Sequence, residues 1–153
     1  MHTFRTLCAP LLALALLCAG CSEEKPSVEL YPKNGSPVRV TVELARTAGQ
    51  RSMGLMYRKK LAASRGMLFL FEQDEKHMFT MRNTSLPLDM IFIDATLAVA
   101  GIVENTKPYA NGPFGIDRPS RHVLEVNAGF CARHGIAAGD RVAFHHVPGL
   151  AIP

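Results

Sequence analysis

The sequence has only four cysteines, and just one of them, Cys131, lies beyond residue 21. A folded domain with a single cysteine has no internal disulfide. Residues 27–147 are nevertheless enough chain for one domain that buries about two-thirds of its unfolded surface. We therefore predict a domain that its apolar core alone stabilises.

Basic charge and cofactor motifs are also sparse. The net charge is +4, and the only basic run is Arg58-Lys59-Lys60. A nucleic-acid surface would need a longer basic stripe with interleaved aromatic residues, so no nucleic-acid partner is predicted. The histidines have no zinc spacing, and residues 135–140 lack the lysine of a phosphate loop. We predict no metal and no cofactor.

The first twenty residues have the composition of a signal peptide. Arg5 precedes an almost wholly apolar run at residues 7–17, which is shorter than the ~20 residues of a membrane-spanning helix. The sequence Leu17-Cys18-Ala19-Gly20-Cys21 resembles a bacterial lipoprotein signal, in which Cys21 would carry the lipid. Cys18 departs from that pattern, which usually has an aliphatic residue there. Ordinary signal cleavage with a soluble product is the first alternative, and an uncleaved apolar anchor is the second.

Residues 21–37 are polar and rich in proline, and they predict a flexible tether between the lipid and the domain, with a short edge strand possible at residues 28–31. The predicted product is an exported lipoprotein that faces the periplasm, and Ser22 after the cysteine favours the outer membrane. The protein would bind the membrane through its N-terminal lipid.

Alternating and uninterrupted apolar runs predict a mainly β (α+β) domain. Residues 38–44 alternate between apolar and polar side chains, as in a strand with one solvated face. Thr47 can cap a short helix that Gly54 ends. The other predicted elements are strands at residues 67–71, 78–81, 90–94, 97–103, 122–127 and 141–146, and a short helix near residues 129–134.

These elements indicate a small curled sheet or barrel of seven or eight short, mostly antiparallel strands with two short helices. A single domain would span residues 38–147, and residues 148–153 would be a short tail. Residues 104–120 contain three prolines and two glycines and predict a long loop, a feature that is often functional.

Five motifs occur in a fixed order across about residues 38–144. They are Gly54-Leu55-Met56-x-Arg58, Gly66-Met67-Leu68-Phe69-x-Phe71, Met81-Arg82-Asn83-Thr84-x-x-Pro87-Leu88-Asp89-x-x-Phe92, Leu124-Glu125-x-Asn127-x-Gly129 and Gly135-x-x-x-Gly139-Asp140. Together they resemble the bacterial and archaeal family called domain of unknown function 192. The resemblance implies a compact, mostly β fold and frequent export, without an established reaction. Members commonly carry Trp where this chain has Thr80.

Asp89 is the first candidate site residue. In a strand it shares a face with Ile91 and Ile93, and an unpaired buried carboxylate costs several kcal/mol. We therefore predict that a donor such as Arg82, Asn83 or Thr84 bonds it, or that it opens onto a cleft. The alternative is that Asp89 and Asn83 fix a turn through backbone hydrogen bonds.

Glu125 and Asn127 are on one strand face with Val123. Either they pair with Arg82, Arg121 or Arg58 in a structural interaction, or they join Asp89 in a polar pocket. Two carboxyl groups in one cleft can share a proton and act as acid and base.

The seven methionines and His77 suggest a Cu(I) site, because thioethers and imidazole suit that ion. Residues 78 and 81 would lie on opposite faces of a strand, so core packing is the favoured role. Cys131 and His134 have the helical spacing of a thiol and a base, but a lone cysteine is usually a small buried apolar residue.

Three functional hypotheses remain. The first is a binding or accessory module, not an enzyme, for a small molecule, glycan or protein at Arg82, Asn83, Thr84 and Asp89, with the 104–120 loop as a roof. The second is an envelope enzyme that uses Asp89 and Glu125 as acid and base. The third is a structural envelope protein without a ligand.

Overall fold

The computed structural model describes residues 24–150, so the predicted signal peptide and Cys21 lie outside the described residues. Seven strands and two short helices form the described part, in the order β1 (Ser27–Tyr31), β2 (Val38–Ala45), α1 (Ala48–Met53), β3 (Arg65–Glu75), β4 (Leu88–Ile93), β5 (Val99–Val103), β6 (Ser120–Asn127), α2 (Phe130–His134) and β7 (Arg141–His145).

The strands form one sheet in the order β5-β4-β6-β3-β2-β1-β7, in which only β2 and β3 are parallel. The two edges approach each other where Ala98 bridges to Arg141, and the sheet curls into a half-barrel. The predicted mainly β fold with two short helices is confirmed.

Strand β1 lies inside the sheet, between β2 and β7. Both neighbouring strands pair with the backbone of β1, and the side chains of Val28 and Leu30 are fully buried in the core. The prediction of an edge strand here is wrong, and the predicted tether does not extend through Ser27–Tyr31. The folded domain therefore begins before residue 38.

The sheet separates two apolar clusters. The larger one contains Ile91 and Ile93, and the other contains Leu88, Met90 and Phe92. Alternate side chains of β4 thus enter different clusters, as the period of two in a strand requires. The predicted assignment of faces in β4 is confirmed.

Helix α1 is short because both of its ends are specified by sequence. The Thr47 side chain accepts a hydrogen bond from the Gln50 amide, and the Gln50 side chain closes a capping box. Gly54 follows at φ 48°, and a Cβ there would lie 3.2 Å from Cζ of Phe69. Among residues 24–150, no helix has the length and apolar character needed to cross a membrane.

Residues 78–81 do not form a strand of the sheet, contrary to the prediction from the sequence. Their only strand-like pairing is an isolated bridge between Phe79 and Phe114, with N–O distances of 2.8 and 2.9 Å. The Met81 amide also donates to the carbonyl of Ala110. Residues 78–81 are thus attached to the 104–120 loop and not to the sheet, and this frees them to line a cleft.

Candidate functional site

A cleft of about 290 Å³ opens on the face of the sheet that carries Met90 and Phe92. Its walls come from the end of α1 and the turn after it, from β3, and from residues 77–84. Its lining residues are Arg51, Ser52, Met53, Gly54, Leu55, Met56, Phe69, Phe71, His77, Met78, Phe79, Thr80, Met81, Arg82, Thr84, Leu88 and Glu125. The cleft is large enough for a small ligand, and nine apolar side chains line it beside charged and polar groups.

Glu125 is the most deeply buried ionisable group of the cleft, with 4% of its surface exposed. It pairs across the sheet with Met67 of β3 and Met90 of β4, so thioether side chains flank it on both sides. Burial alone raises the pKa of the Glu125 carboxyl to about 8. Since no hydrogen bond or charge within residues 24–150 opposes that shift, the carboxyl is largely protonated at neutral pH.

Two arginines line the cleft without neutralising Glu125. Arg51 donates to the carbonyl oxygen of Leu70 at 3.0 Å, and its guanidinium lies 5.0 Å from the ring centroid of Phe71. Arg82 is exposed. Neither guanidinium lowers the pKa of the Glu125 carboxyl, which burial alone shifts. The lining of the cleft thus combines two basic side chains, one of them exposed, with one deeply buried acid.

The predicted polar segment contributes only part of the site. Arg82 and Thr84 line the cleft, whereas Asn83 does not. Asn83 has a φ of 56° and donates through Nδ2 to the hydroxyl of Tyr57 at 2.8 Å. Its role is therefore to connect residues 82–85 to the turn that follows α1.

Asp89 is fully buried, and its hydrogen bonds come from the backbone. The amides of Asn105 and Gly129 donate to Oδ1 at 2.9 and 3.2 Å, and the amide of Cys131 donates to Oδ2 at 2.9 Å. The prediction that Arg82, Asn83 or Thr84 donates to Asp89 is therefore wrong. Asp89 also does not line the cleft. The alternative of backbone hydrogen bonds describes Asp89, which joins three distant segments.

Asp89 and Glu125 cannot act as an acid–base pair. Asp89 shares the face of Ile91 and Ile93, whereas Glu125 faces the cluster that contains Met90. The sheet lies between the two carboxyl groups, so the predicted acid–base mechanism of an envelope enzyme is wrong. The prediction that Glu125 and Asn127 join Asp89 in one polar pocket is wrong for the same reason.

The predicted pairing of Glu125 and Asn127 with arginine is also wrong. Arg58 binds Glu43 with N–O distances of 2.9 and 2.6 Å, and Arg121 binds Asp74. Asn127 shares the Glu125 face, as predicted, but donates to the carbonyl oxygens of residues 61 and 62. Glu125 is thus left without the partner that sequence reasoning assigned to it.

The 104–120 loop supports the cleft wall from behind. The Thr106 hydroxyl accepts from the Leu88 amide at 3.1 Å and donates to the Leu88 carbonyl at 2.9 Å. The loop also contacts the predicted polar segment through the Tyr109 amide, which donates to the Thr84 carbonyl, but none of its residues lines the cleft. The loop instead holds residues 79–81 and the start of β4 in place.

The methionines gather around the cleft. Met53, Met56, Met78 and Met81 line it, and Met67 and Met90 flank Glu125. The expectation that residues 78 and 81 point to opposite faces of a strand is wrong, because they are not in a ladder strand. Flexible thioethers give this wall an adaptable apolar surface.

Cys131 has no catalytic geometry. It is fully buried, and burial together with the nearby Asp89 carboxylate raises the pKa of its thiol. Oxygen and sulfur atoms of Asp89, Glu104 and Cys131 lie within 4.8 Å of one another, but backbone amides already occupy the Asp89 oxygens. The thiol therefore has the properties of a small core group.

Sequence reasoning missed much of the cleft wall. The sequence patterns place Arg51 in a helix, Leu55 in a motif and the aromatic residues Phe69, Phe71 and Phe79 in strands, and none of these patterns indicates a shared cleft. The Gly54-Leu55-Met56 motif was the available signal, since a glycine after a short helix brings the chain close to Phe69.

Fold and site together define a curled β-sheet domain with a ligand-sized cleft on one face. Residues 30–144 match the family DUF192, described as an uncharacterized ACR, and the chain belongs to this family. No match is found among curated proteins.

The solved structures that this chain resembles include two crystal structures. A proposed transcription regulator from Sinorhizobium meliloti is 40% identical, with a TM-score of 0.76 over 79% of this chain and 94% of that one. A protein of unknown function from Novosphingobium aromaticivorans is 38% identical, with a TM-score of 0.73 over 76% and 82%.

Proposed function

We propose that this protein is a ligand-binding module of the cell envelope, attached to a membrane through lipid on Cys21, whose small ligand enters the cleft above Glu125. The lipoprotein-type sequence at residues 17–21 supports the location. The cleft supports the binding role, and it is contrary to the hypothesis of a structural protein without a concave site.

One observation carries the proposal. A carboxyl group that is buried, unpaired within residues 24–150 and open to a cleft costs stability, because its charged form loses hydration without gaining a partner. Groups with this combination of burial, strongly shifted pKa and access to a cleft are typical of functional sites. Asp89, which backbone amides satisfy, shows that this fold can also bury a carboxyl group in a compensated way.

A fragment screen by protein-observed NMR tests the proposal on the full-length chain. We expect bound fragments to shift the amide resonances of Gly54, Leu55 and Thr84, and Glu125→Gln to change their affinities. Glu43→Gln is the matched control, because Glu43 shares this face of the sheet but is bonded to Arg58. Fragments that bind only elsewhere, or equally well to Glu125→Gln, would contradict the proposal.

The Sinorhizobium protein is described as a transcription regulator, and nucleic-acid binding is therefore a second candidate function. One contact favours the small-ligand proposal instead. Arg58 is the first residue of the only basic run, and its guanidinium is bonded to Glu43. The remaining charge of that run is two lysines, which is less than a phosphate-binding stripe needs.

A further inference from the structure

We propose that the ligand carries a primary alkylammonium group, which enters the cleft first and binds the Glu125 carboxylate at its base. This inference rests on the proposed function, since it names the chemical class that the same cleft would take. It starts from Glu125, which is more than nine-tenths buried, lines the cleft and has no hydrogen-bond partner within residues 24–150.

The Glu125 carboxyl group releases its proton to water when the ammonium group binds, and the ammonium group then supplies what the resulting carboxylate lacks. It carries one positive charge and three N–H donors in a compact head, and charge-assisted hydrogen bonds are the strong ones in a water-poor site. A neutral alcohol would offer a single donor and no charge. Guanidinium is wider and planar, and its five N–H donors would need more acceptors than Glu125, the one acidic residue of the cleft lining within residues 24–150, offers.

The walls also suit an organic cation on an apolar stem. Phe69 and Phe79 both line the cleft, with ring centroids 5.1 Å apart and an interplanar angle of 86°. Aromatic faces attract cations, and the polarisable sulfurs of Met56 and Met81 make good contacts with methylene groups. A cleft of about 290 Å³ accommodates a stem of several carbons.

An anionic head fits less well. Arg82 and Arg51 could attract an anion, but Arg82 is exposed and neither guanidinium affects the pKa of the Glu125 carboxyl. Arg51 is already bonded to the Leu70 carbonyl and lies against Phe71. An anion held there would leave Glu125 unpaired. The two arginines instead favour an acidic or polar group at the other end of the ligand's stem.

The test uses three probes of similar shape, n-butylammonium, n-butanol and butyrate, titrated into the full-length chain and followed by amide chemical shifts at the cleft. We expect n-butylammonium to bind at least about tenfold more tightly than the other two probes, because only n-butylammonium can form a buried charge pair with Glu125. Glu125→Gln should remove that preference, whereas Glu43→Gln should keep it. An unchanged spectrum outside the cleft shows that each variant folds.

Three results would overturn the inference. Tighter binding of butyrate or n-butanol in the cleft would contradict the alkylammonium class and leave the proposed ligand-binding function in place. Shifts that are absent from the cleft with all three probes, and with a wider fragment panel, would contradict both. A preference for n-butylammonium that survives in Glu125→Gln would also exclude Glu125 as the binding group.

Discussion

Asp89 and Glu125 lie on neighbouring strands but project from opposite faces of the sheet. Asp89 of β4 pairs with Val126 of β6, one position beyond Glu125. Since side chains alternate along a strand, this single step places the two carboxyl groups in different environments. Three backbone amides bind Asp89, whereas Glu125 has no partner within residues 24–150 and faces a cleft.

Asp89→Asn should destabilise the fold. The side-chain amide would put N–H donors where a carboxylate oxygen now accepts from Cys131 or from Asn105 and Gly129, so at least one buried amide would lose its acceptor. We expect the free energy of unfolding to fall by about 2 kcal/mol or more, measured by denaturant unfolding. The control Asp74→Asn alters an exposed ion pair with Arg121 and should cost much less. Equal losses in the two variants would contradict the structural role of Asp89.

Glu125→Gln should stabilise the fold at high pH. The pKa of Glu125 rises from its ordinary value of 4.5 to about 8 on folding, so the folded state keeps a proton that the unfolded state loses between these values. Its contribution to stability is therefore lost as the pH rises through 8. We expect the variant to match the parent at pH 5 and to exceed it at pH 9 by an amount on the order of 4 kcal/mol. A gain of the same size at both pH values would count against this assignment.

His122 should make the protein less stable in acid. It is buried beside Phe144, and burial, followed by the charge of Arg121, lowers its pKa from 6.5 to about 4. The unfolded state thus binds a proton that the folded state excludes, and stability falls as the pH drops from 6.5 to 4. We expect a loss of about 3 kcal/mol, measured as unfolding free energy against pH. His122→Phe should remove this dependence of the unfolding free energy on pH. If the variant keeps the same dependence as the parent, the assignment to His122 is contradicted.

Cys21→Ser should abolish membrane attachment, if residues 17–21 are a lipoprotein signal. The lipid supplies the apolar surface that holds such a protein at a bilayer. It is attached through the sulfur of the cysteine, and serine has no sulfur. Membrane fractionation and the mass of the mature N-terminus measure the effect. Cys131→Ala is the control and should keep the lipid. Membrane attachment that is unchanged in Cys21→Ser would exclude lipid attachment at this cysteine.

Local patterns predicted most of the fold. The alternation at residues 38–44 gave β2, and Thr47 with Gly54 bounded α1, because strand periodicity and helix capping depend on neighbours in the chain. Residues 78–81 were wrongly predicted as a ladder strand because an apolar run does not show what it packs against. Their actual partner is the 104–120 loop.

The candidate site was less predictable for the same physical reason. Asp89 was recognised as a buried carboxylate, but its donors lie 16, 40 and 42 residues away and are backbone amides, which no side-chain pattern indicates. Glu125 was recognised as a candidate, but its lack of a partner depends on which residues engage Arg58 and Arg121. Those pairs form only in the folded sheet.

The most direct test of the central claim is a ¹³C NMR titration of the Glu125 side-chain carboxyl in the full-length chain, assigned with Glu125→Gln. An unpaired carboxyl buried at the base of the cleft predicts a midpoint near pH 8. A midpoint near the ordinary value of 4.5 would mean that the group is solvated or paired, and it would contradict the ligand site built on it.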